Sequence, residues 1–159
     1  MTIQATAIDI TAATLNSTVA PLFPVGQVTY DTLGRMYQYV KGTATHAQGD
    51  FVKISTDGLF TVALATTTNC PATEPAEIGC VTCTGLIANT YGWIFRGFGS
   101  FTGIAAGAIA INVKVNIVAA GNVDDAAGTL INGLKCQTVI SGAGSGAFYA
   151  CQRMTTVAA

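Results

Sequence analysis

Two cysteines, spaced as Cys80-Val81-Thr82-Cys83, are the most obvious candidates for chemistry in this sequence. In thiol oxidoreductases this spacing works because a helix N-terminus lowers the pKa of the first thiol. Here residues 78–85 have the composition of a β-strand, in which side chains three positions apart point to opposite faces. A structural zinc site would also need a second pair of ligands, which we do not find. We therefore predict that the five cysteines are reduced, mostly buried thiols, and that no metal is bound.

His46 is the single histidine and lies in the loop 42–49. A hydrolytic triad would place it beside a nucleophile and a carboxylate, and no sequence motif marks a nucleophile. We expect a solvent-exposed loop histidine. The alternative is a minor hydrolase that uses His46, which a His46→Ala substitution would test.

Two further loops have the composition of ligand sites. Residues 142–146 are rich in glycine, as phosphate-binding loops are, but such loops precede a helix, whereas this one precedes the strand-like residues 147–151. Asp124 and Asp125, with Asn122, could supply oxygen ligands to calcium. We interpret the first as a flexible turn and the second as a polar loop. The sequence therefore predicts no catalytic residue and no cofactor.

Aromatic side chains are concentrated in two short stretches, with Tyr37 and Tyr39 in one and Tyr91, Trp93 and Phe95 in the other. Such a group could form a platform on which a sugar ring stacks. Tyrosine and tryptophan on a sheet face more often anchor a core or an interface. We favour the second interpretation and keep the first as an alternative.

Strands are predicted wherever apolar and polar residues alternate. The clearest run is 111–117, in which every odd position is a branched aliphatic residue and every even position is polar. Similar alternation marks the runs 59–65, 91–96 and 148–154. Turn residues at 31–34 and 56–58 separate neighbouring runs and predict two hairpins.

Helical periodicity is absent, apart from a turn or two near 124–128, and no internal repeat is evident. Short strands with frequent turns are typical of sandwiches and barrels. We predict an all-β fold, an antiparallel β-sandwich or β-barrel in a single domain over residues 25–159.

Residues 1–24 differ from the rest of the chain. They are rich in threonine and alanine, carry one charge, Asp9, and end in Pro21-Leu22-Phe23-Pro24. We predict an extended N-terminal arm, whose first ~22 residues could span on the order of 70 Å. An arm that adds a strand to a neighbouring subunit would bury its apolar side chains. The alternatives are a frayed terminus or an ordinary first strand of the same domain.

The charge content restricts the classes of partner. Only 9% of the residues are charged and the net charge is −1, with seven scattered basic residues. This gives no basic patch, so we expect no nucleic-acid binding. A surface so poor in charge suits a protein whose faces are largely covered by partners, since interface cores are depleted in charged side chains. The alternative is a weakly charged monomer.

Membrane insertion and secretion are not expected either. No apolar run approaches the ~20 residues that a bilayer span requires. Residues 1–4 contain neither a basic region nor an apolar block, so they do not predict a secretory signal. We expect synthesis in the cytoplasm.

Four short motifs, in this order, resemble those of the capsid decoration proteins of tailed phages. A "Gly-Arg-x-Tyr-x-Tyr-Val" hairpin strand occupies 34–40, and a "Gly-Asp-x-Val" turn occupies 49–52. An "Ile-Gly-x" strand begins at Ile78, and "Tyr-Gly-Trp" begins at Tyr91. The resemblance covers residues 23–154. The Cys80/Cys83 pair and the long arm have no counterpart in it.

This resemblance implies a β-barrel or β-sandwich domain, assembled as a trimer on the outer surface of a capsid. It implies no catalytic residue and no cofactor. The predicted partners are the major capsid protein and further copies of the chain, and the predicted location is the virion, after synthesis in the host cytoplasm.

The predicted function is therefore structural: an oligomer that binds the expanded capsid and stabilises it against the pressure of packaged DNA. The alternative is a carbohydrate-binding or adhesin-like domain of the virion that uses the tyrosine and tryptophan face. The residues predicted to contact partners are apolar residues of the arm and aromatic residues of the domain: Ile3, Ile8, Ile10, Leu15, Val19, Leu22, Phe23, Tyr37, Tyr39 and Trp93.

Overall fold

The computed structural model describes residues 18–82 and 85–156. These residues form ten strands joined by turns and loops, which confirms the all-β prediction. Residues 125–128, near the predicted turn of helix, form a bend that follows a strand. The strands are β1 (Val28–Tyr30), β2 (Met36–Gly42), β3 (Phe51–Ile54), β4 (Thr61–Leu64), β5 (Glu77–Cys80), β6 (Tyr91–Ala105), β7 (Lys114–Ala119), β8 (Asn122–Asp124), β9 (Thr129–Cys136) and β10 (Gly144–Thr156).

The strand pairings close into two rings of five strands. In the first ring β2 pairs with β4, β4 with β3, β3 with β5, β5 with β6, and β6 with β2. In the second ring β6 pairs with β8, β8 with β7, β7 with β9, β9 with β10, and β10 with β6. The long strand β6 belongs to both rings, its first half to one and its second half to the other.

Each ring contains one short parallel pairing, β2 with β4 in the first and β6 with β8 in the second. The sheet is therefore mixed, whereas the sequence predicted antiparallel pairing. The reason is geometric: strand directions cannot alternate all the way round a closed ring with an odd number of strands. One neighbouring pair in five must run in the same direction.

The two rings repeat one another in most of their register. The exception lies along β9, where Asn116 pairs with Leu130, whereas the counterpart of the Lys53/Ile78 pair would be Asn116/Gly133. Ladder pairs of the first ring have counterparts at the same places in the second, although the sequence shows no repeat. The matching pairs are Gly42/Val62 with Ala105/Val123, Ile54/Val62 with Ile117/Val123, Phe51/Cys80 with Lys114/Lys135, Cys80/Phe95 with Lys135/Tyr149, Tyr39/Trp93 with Thr102/Ala147, and His46/Leu86 with Ile109/Ile140. The second ring is thus a structural copy of the first.

The predicted hairpins are present at both sites. Asp31 caps the first, because its Oδ1 accepts hydrogen bonds from the backbone N–H groups of Leu33 and Arg35, both at 2.9 Å. Gly34 adopts a φ of 75°, which residues other than glycine rarely adopt. In the second hairpin Asp57 accepts hydrogen bonds from the Ser55 hydroxyl and the Leu59 backbone, and these bonds lower the pKa of Asp57.

The predicted strand at 111–117 is shorter at its start than its alternation indicates. Ile111 and Asn112 form a turn, and β7 begins at Lys114, after which Val115 and Ile117 are buried as the pattern requires. Similarly, β4 covers only Thr61–Leu64 of the predicted run 59–65, with Val62 buried.

The cores of the two rings differ in their extent. The interior of the first ring is a small separate cluster of aliphatic side chains: Val40, Val52, Ile54, Val62, Val81, Leu86 and Ile94. The interior of the second ring is continuous with the outer aromatic face of the first. Phe51 and Phe95, on that face, pack against Phe101 at ring-centroid distances of 5.9 and 4.3 Å. This contact joins the rings into one hydrophobic core.

Candidate interaction surface

An aromatic cluster covers the outer face of the first ring, where β2 lies beside the start of β6. Tyr39 and Trp93 face each other across these strands, with ring centroids 5.1 Å apart. Tyr91 stacks on Tyr39 at 6.3 Å. Phe23 lies over both strands, 5.4 Å from Tyr39 and 5.3 Å from Trp93. The alternation at 91–96 that predicted a strand therefore also places these rings on one face.

The segment that carries Phe23 is held on this face by hydrogen bonds. Thr18 and Tyr91 exchange both backbone hydrogen bonds, at 3.1 and 2.9 Å, which adds Thr18 to the edge of β6. The Tyr39 hydroxyl accepts the backbone N–H of Leu22 at 3.1 Å and lies 3.2 Å from the Thr18 hydroxyl. The last residues of the predicted arm thus cover the aromatic face of their own domain.

The predicted contact residues fall into three groups. Tyr37, Tyr39 and Trp93 are buried, so they expose almost no area that a partner or a sugar could contact. Phe23 is half-buried, whereas Val19 and Leu22 are 85% and 58% exposed. The other four, Ile3, Ile8, Ile10 and Leu15, lie outside the described residues.

The matching face of the second ring is open. The register places Thr102, Ser145 and Ala147 at the positions of Tyr39, Tyr91 and Trp93. Together with the loop 138–144 these small residues line a surface depression of 530 Å³. The glycine-rich loop predicted to be a turn therefore leads into β10 and forms one wall of this depression. Sequence reasoning missed this surface, because small polar residues gave no signal of a site.

His46 is buried, with 1% of its surface exposed, and the expectation of a solvent-exposed histidine was wrong. Although it lies in a loop, its backbone forms a two-way bridge with Leu86, which pulls the side chain into the end of the first ring. Neither ring nitrogen has a hydrogen-bond partner among the described residues. Burial lowers the pKa of His46, and the nearby Val62 carbonyl and Asp50 carboxylate oppose this only in part.

A buried cation lies at the other end of the first ring. The Arg96 guanidinium is fully buried and pairs through Nη2 with the Glu77 carboxylate, which also accepts the partly exposed Arg153 at 2.7 Å. Arg96 Nε and Nη1 have no partner within the described ranges. Burial lowers the pKa of Arg96 to about 10, against the opposing effect of Glu77. No sequence pattern indicated this pair, since its partners are nineteen residues apart.

The remaining chemical candidates are not assembled into a site in the part of the chain that the structure describes. Cys80 is fully buried, and burial raises its pKa well above the usual value; Cys83 lies outside the described residues. Cys70 and Cys136 are buried free thiols whose pKa values burial also raises, and the free thiol of Cys151 is exposed. No group of three potential metal ligands occurs among residues 18–82 and 85–156. Over the same ranges no helix has the length and hydropathy to cross a membrane.

These features define an all-β protein built from two matching five-stranded rings, with one outer face covered and the other open. No family model matches the sequence, and no curated protein matches it significantly. Among solved structures, the fold is similar to "head fiber gp8.5 N base in bacteriophage phi29", with a TM-score of 0.54 and 6% sequence identity. The similarity covers 76% of this chain and 97% of that one, so the shared fold includes most of both molecules.

Proposed function

We propose that this protein is a structural component of a phage head, which binds the outer surface of the capsid as a trimer and stabilises the expanded shell. The observation that carries the proposal is the similarity of its fold to the base of a phage head fiber across 97% of that chain. The motifs at 34–40, 49–52, 78–80 and 91–93, which resemble those of capsid decoration proteins, support it independently.

The proposed role needs only non-covalent contacts. A protein with 9% charged residues loses little charge hydration when its surface is covered, which favours docking onto a larger shell. Apolar area buried at a capsid contact contributes about 25 cal/mol per Å². The net affinity of one copy is smaller, because association costs translational and rotational freedom. Repetition over a lattice makes even a small gain per copy large for the whole shell.

The segment at the N-terminal end of the described chain is the best candidate for contact with the major capsid protein. Val19 and Leu22 project into solvent although Phe23, beside them, is packed on the first ring. Exposed aliphatic side chains on a segment that is itself anchored can be buried by a partner at little cost in chain ordering.

Stacking of a sugar on the tyrosine and tryptophan face receives less support. That alternative needs exposed rings, whereas Tyr39 and Trp93 are buried beneath Phe23 and the segment 18–24. We therefore propose the capsid-bound role alone, with no catalytic residue and no cofactor taking part in it.

The test is co-sedimentation of the purified 159-residue chain with expanded and unexpanded capsids, followed by electron microscopy. We expect saturable binding to expanded capsids at one symmetric position and higher resistance of the decorated capsids to heat. The double substitution Val19→Asp and Leu22→Asp should weaken binding at least ten-fold.

The matched control is Leu33→Asp, which places the same charge on a residue that is 75% exposed at the tip of the first hairpin. That tip lies near Gly97 of β6, whereas the segment is held at Tyr91. The control variant should bind as the unmodified chain does. Absence of binding to either form of the capsid would contradict the proposed function, and equal loss in the control would contradict the assignment of the contact surface.

A further inference from the structure

The outer face of the first ring and the outer face of the second are equivalent surfaces. The first is covered by a segment of the chain, and the second is open. On the first, Tyr39, Tyr91 and Trp93 lie beneath residues 18–24 of the same chain. On the second, the matching residues Thr102, Ser145 and Ala147 line the 530 Å³ depression, which no described residue fills. The first ring therefore shows what kind of ligand this surface takes: an extended peptide segment.

The backbone at the depression is arranged to pair with such a segment. The Ala147 carbonyl accepts the backbone N–H of Gln137 at 2.9 Å, on the side of β10 that faces away from β6. Backbone groups two residues apart in a strand point to the same side. The N–H and C=O of Ser145 therefore point to that side as well, beyond the end of β9 at Cys136. Tyr91, the counterpart of Ser145, uses the same groups to bind Thr18.

The small side chains that line the depression also indicate a ligand with large side chains. In the first ring the surface itself contributes large rings at Tyr39 and Trp93, and the segment adds only Phe23. In the second ring the surface contributes only a threonine and an alanine at these positions. A segment with larger aliphatic side chains on one face would fill the space that these small residues leave.

We propose that the depression binds residues 6–11 of a second copy of this chain, which add a strand beside Ser145. Their sequence, Thr-Ala-Ile-Asp-Ile-Thr, places Ile8 and Ile10 on one face of a strand and carries one charge. Strand addition of this kind gains affinity from main-chain hydrogen bonds and selectivity from alternate side chains. The biological role of this contact rests on the proposed function. The contact adds to that function the surface that receives the arm.

Chain length favours a second copy over the same chain as the source of the segment. Thr18 is held at Tyr91, the first residue of β6, whereas Ser145 pairs with Ile104, near the end of that strand. At about 3.3 Å per residue, the contour of β6 between these positions is roughly 43 Å, an upper limit on their separation because the left-handed φ of Phe98 bends the strand. The eight residues from Ile10 to Thr18 span about 26 Å when fully extended.

The test measures self-association of the 159-residue chain by sedimentation equilibrium, without capsids. Thr102→Arg places a long side chain in the depression at an exposed position, so we expect self-association to weaken at least ten-fold. The matched control is Ser100→Arg, two residues earlier on the same exposed face of β6 and outside the depression. It should associate as the unmodified chain does, and circular dichroism should show that both variants are folded.

Mixing two defective variants separates exchange between copies from binding within one chain. A chain with Ile8→Asp and Ile10→Asp has an intact depression and a defective segment, whereas Thr102→Arg has the opposite defect. Each should be monomeric alone, and the equimolar mixture should form heterodimers. A mixture that stays monomeric, or a Thr102→Arg variant that associates normally, would overturn the inference. Heterodimers from a protein that binds no capsids would overturn the proposed function instead.

Discussion

In the first ring His46 occupies the position that Ile109 takes in the second, and Arg96 corresponds to Ala150. All four residues are buried. The middle of the two rings is filled alike, with Val52, Ile54 and Val62 in one and Val115, Ile117 and Val123 in the other. The middle strands of the two rings, β3 with β4 and β7 with β8, therefore keep the same register although the side chains at the ends of one ring are polar.

This difference indicates which residues determine the fold. Alternating aliphatic residues in the middle strands fix which face points inward, and a shift of one residue would expose all of them. The ring ends tolerate exchange of an isoleucine for a histidine, or an alanine for an arginine, at a cost in stability. A buried polar group without a hydrogen bond costs about 1–3 kcal/mol. We therefore expect the first ring to be less stable than the second. We also expect its stability to depend on the charges of His46 and Arg96.

The largest effect is expected from Glu77→Ala, which leaves the Arg96 cation buried without its carboxylate partner. Breaking a buried ion pair by removal of one member costs about 3–5 kcal/mol. Because Glu77 is itself partly exposed, we expect the free energy of unfolding to fall by about 3 kcal/mol, measured by urea denaturation at pH 7.

The control for this substitution is Arg153→Ala, which removes the exposed partner of the same carboxylate. Exposed ion pairs contribute about 0–1 kcal/mol, so the loss should stay below about 1 kcal/mol. Equal losses in the two variants would show that burial of Arg96 has no special cost.

An intermediate effect is expected from Gly103→Ala in the second ring. Val40 is the equivalent residue in the first ring. A Cβ on Gly103 would lie only 2.6 Å from Phe51 Cε2, because the Phe51 ring fills the space beside Gly103. Overpacking of a core costs about 1–3 kcal/mol. We expect a loss of about 2 kcal/mol in the free energy of unfolding.

Gly142→Ala serves as the control for overpacking, since no atom lies within 4 Å of the position that its Cβ would take. Its effect should remain within about 0.5 kcal/mol. A Gly103→Ala variant as stable as this control would mean that the two cores are packed together less tightly than the contact between Phe51 and Gly103 indicates.

The smallest effect on stability at neutral pH is expected from His46→Ile, which gives the first ring the residue that the second ring has at the equivalent position, Ile109. This substitution is also the most informative. Removal of a buried imidazole that makes no well-aligned hydrogen bond should raise stability by about 1 kcal/mol at pH 7.5. The folded-state pKa of His46 is lowered from 6.5, so the unfolded chain binds the proton more tightly. The unmodified protein should therefore lose stability as the pH falls below about 6.5 towards the lower folded pKa.

The His46→Ile variant should lack this part of the pH dependence, which urea denaturation at pH 7.5 and pH 5 would measure. The reciprocal substitution, Ile109→His, should introduce the same acid sensitivity into the second ring. If the pH dependence of the His46→Ile variant equals that of the unmodified chain, another group causes it.

The sequence was sufficient to predict the all-β class and both hairpins, because these depend on local patterns. Alternation sets the buried face of a strand, and Asp31, Gly34, Asp57 and Gly58 form turns through contacts with residues close in sequence. Closure of the rings depends on the short parallel pairings between Gly42 and Val62 and between Ala105 and Val123, which no local pattern encodes.

The repeat could not be seen in the sequence, because the two rings share their strand pairing but not the chemistry of the paired side chains. Tyr39 and Trp93 correspond to Thr102 and Ala147, pairs with no chemical likeness. The open surface was missed for the same reason: its recognition requires knowledge of what covers the equivalent surface. Burial of His46 was missed because loop composition predicts exposure, while a bridge to Leu86, forty residues away, decides the outcome.

Strand β6, which runs from Tyr91 to Ala105, has a mechanical consequence. Because one uninterrupted backbone forms a wall of both rings, a pull applied to the outer end of the molecule passes to the other end through covalent bonds. Displacement of β6 breaks hydrogen bonds in both rings, because it pairs with β2 and β5 in the first and with β8 and β10 in the second. Under force the protein should therefore rupture in a single event instead of one ring at a time.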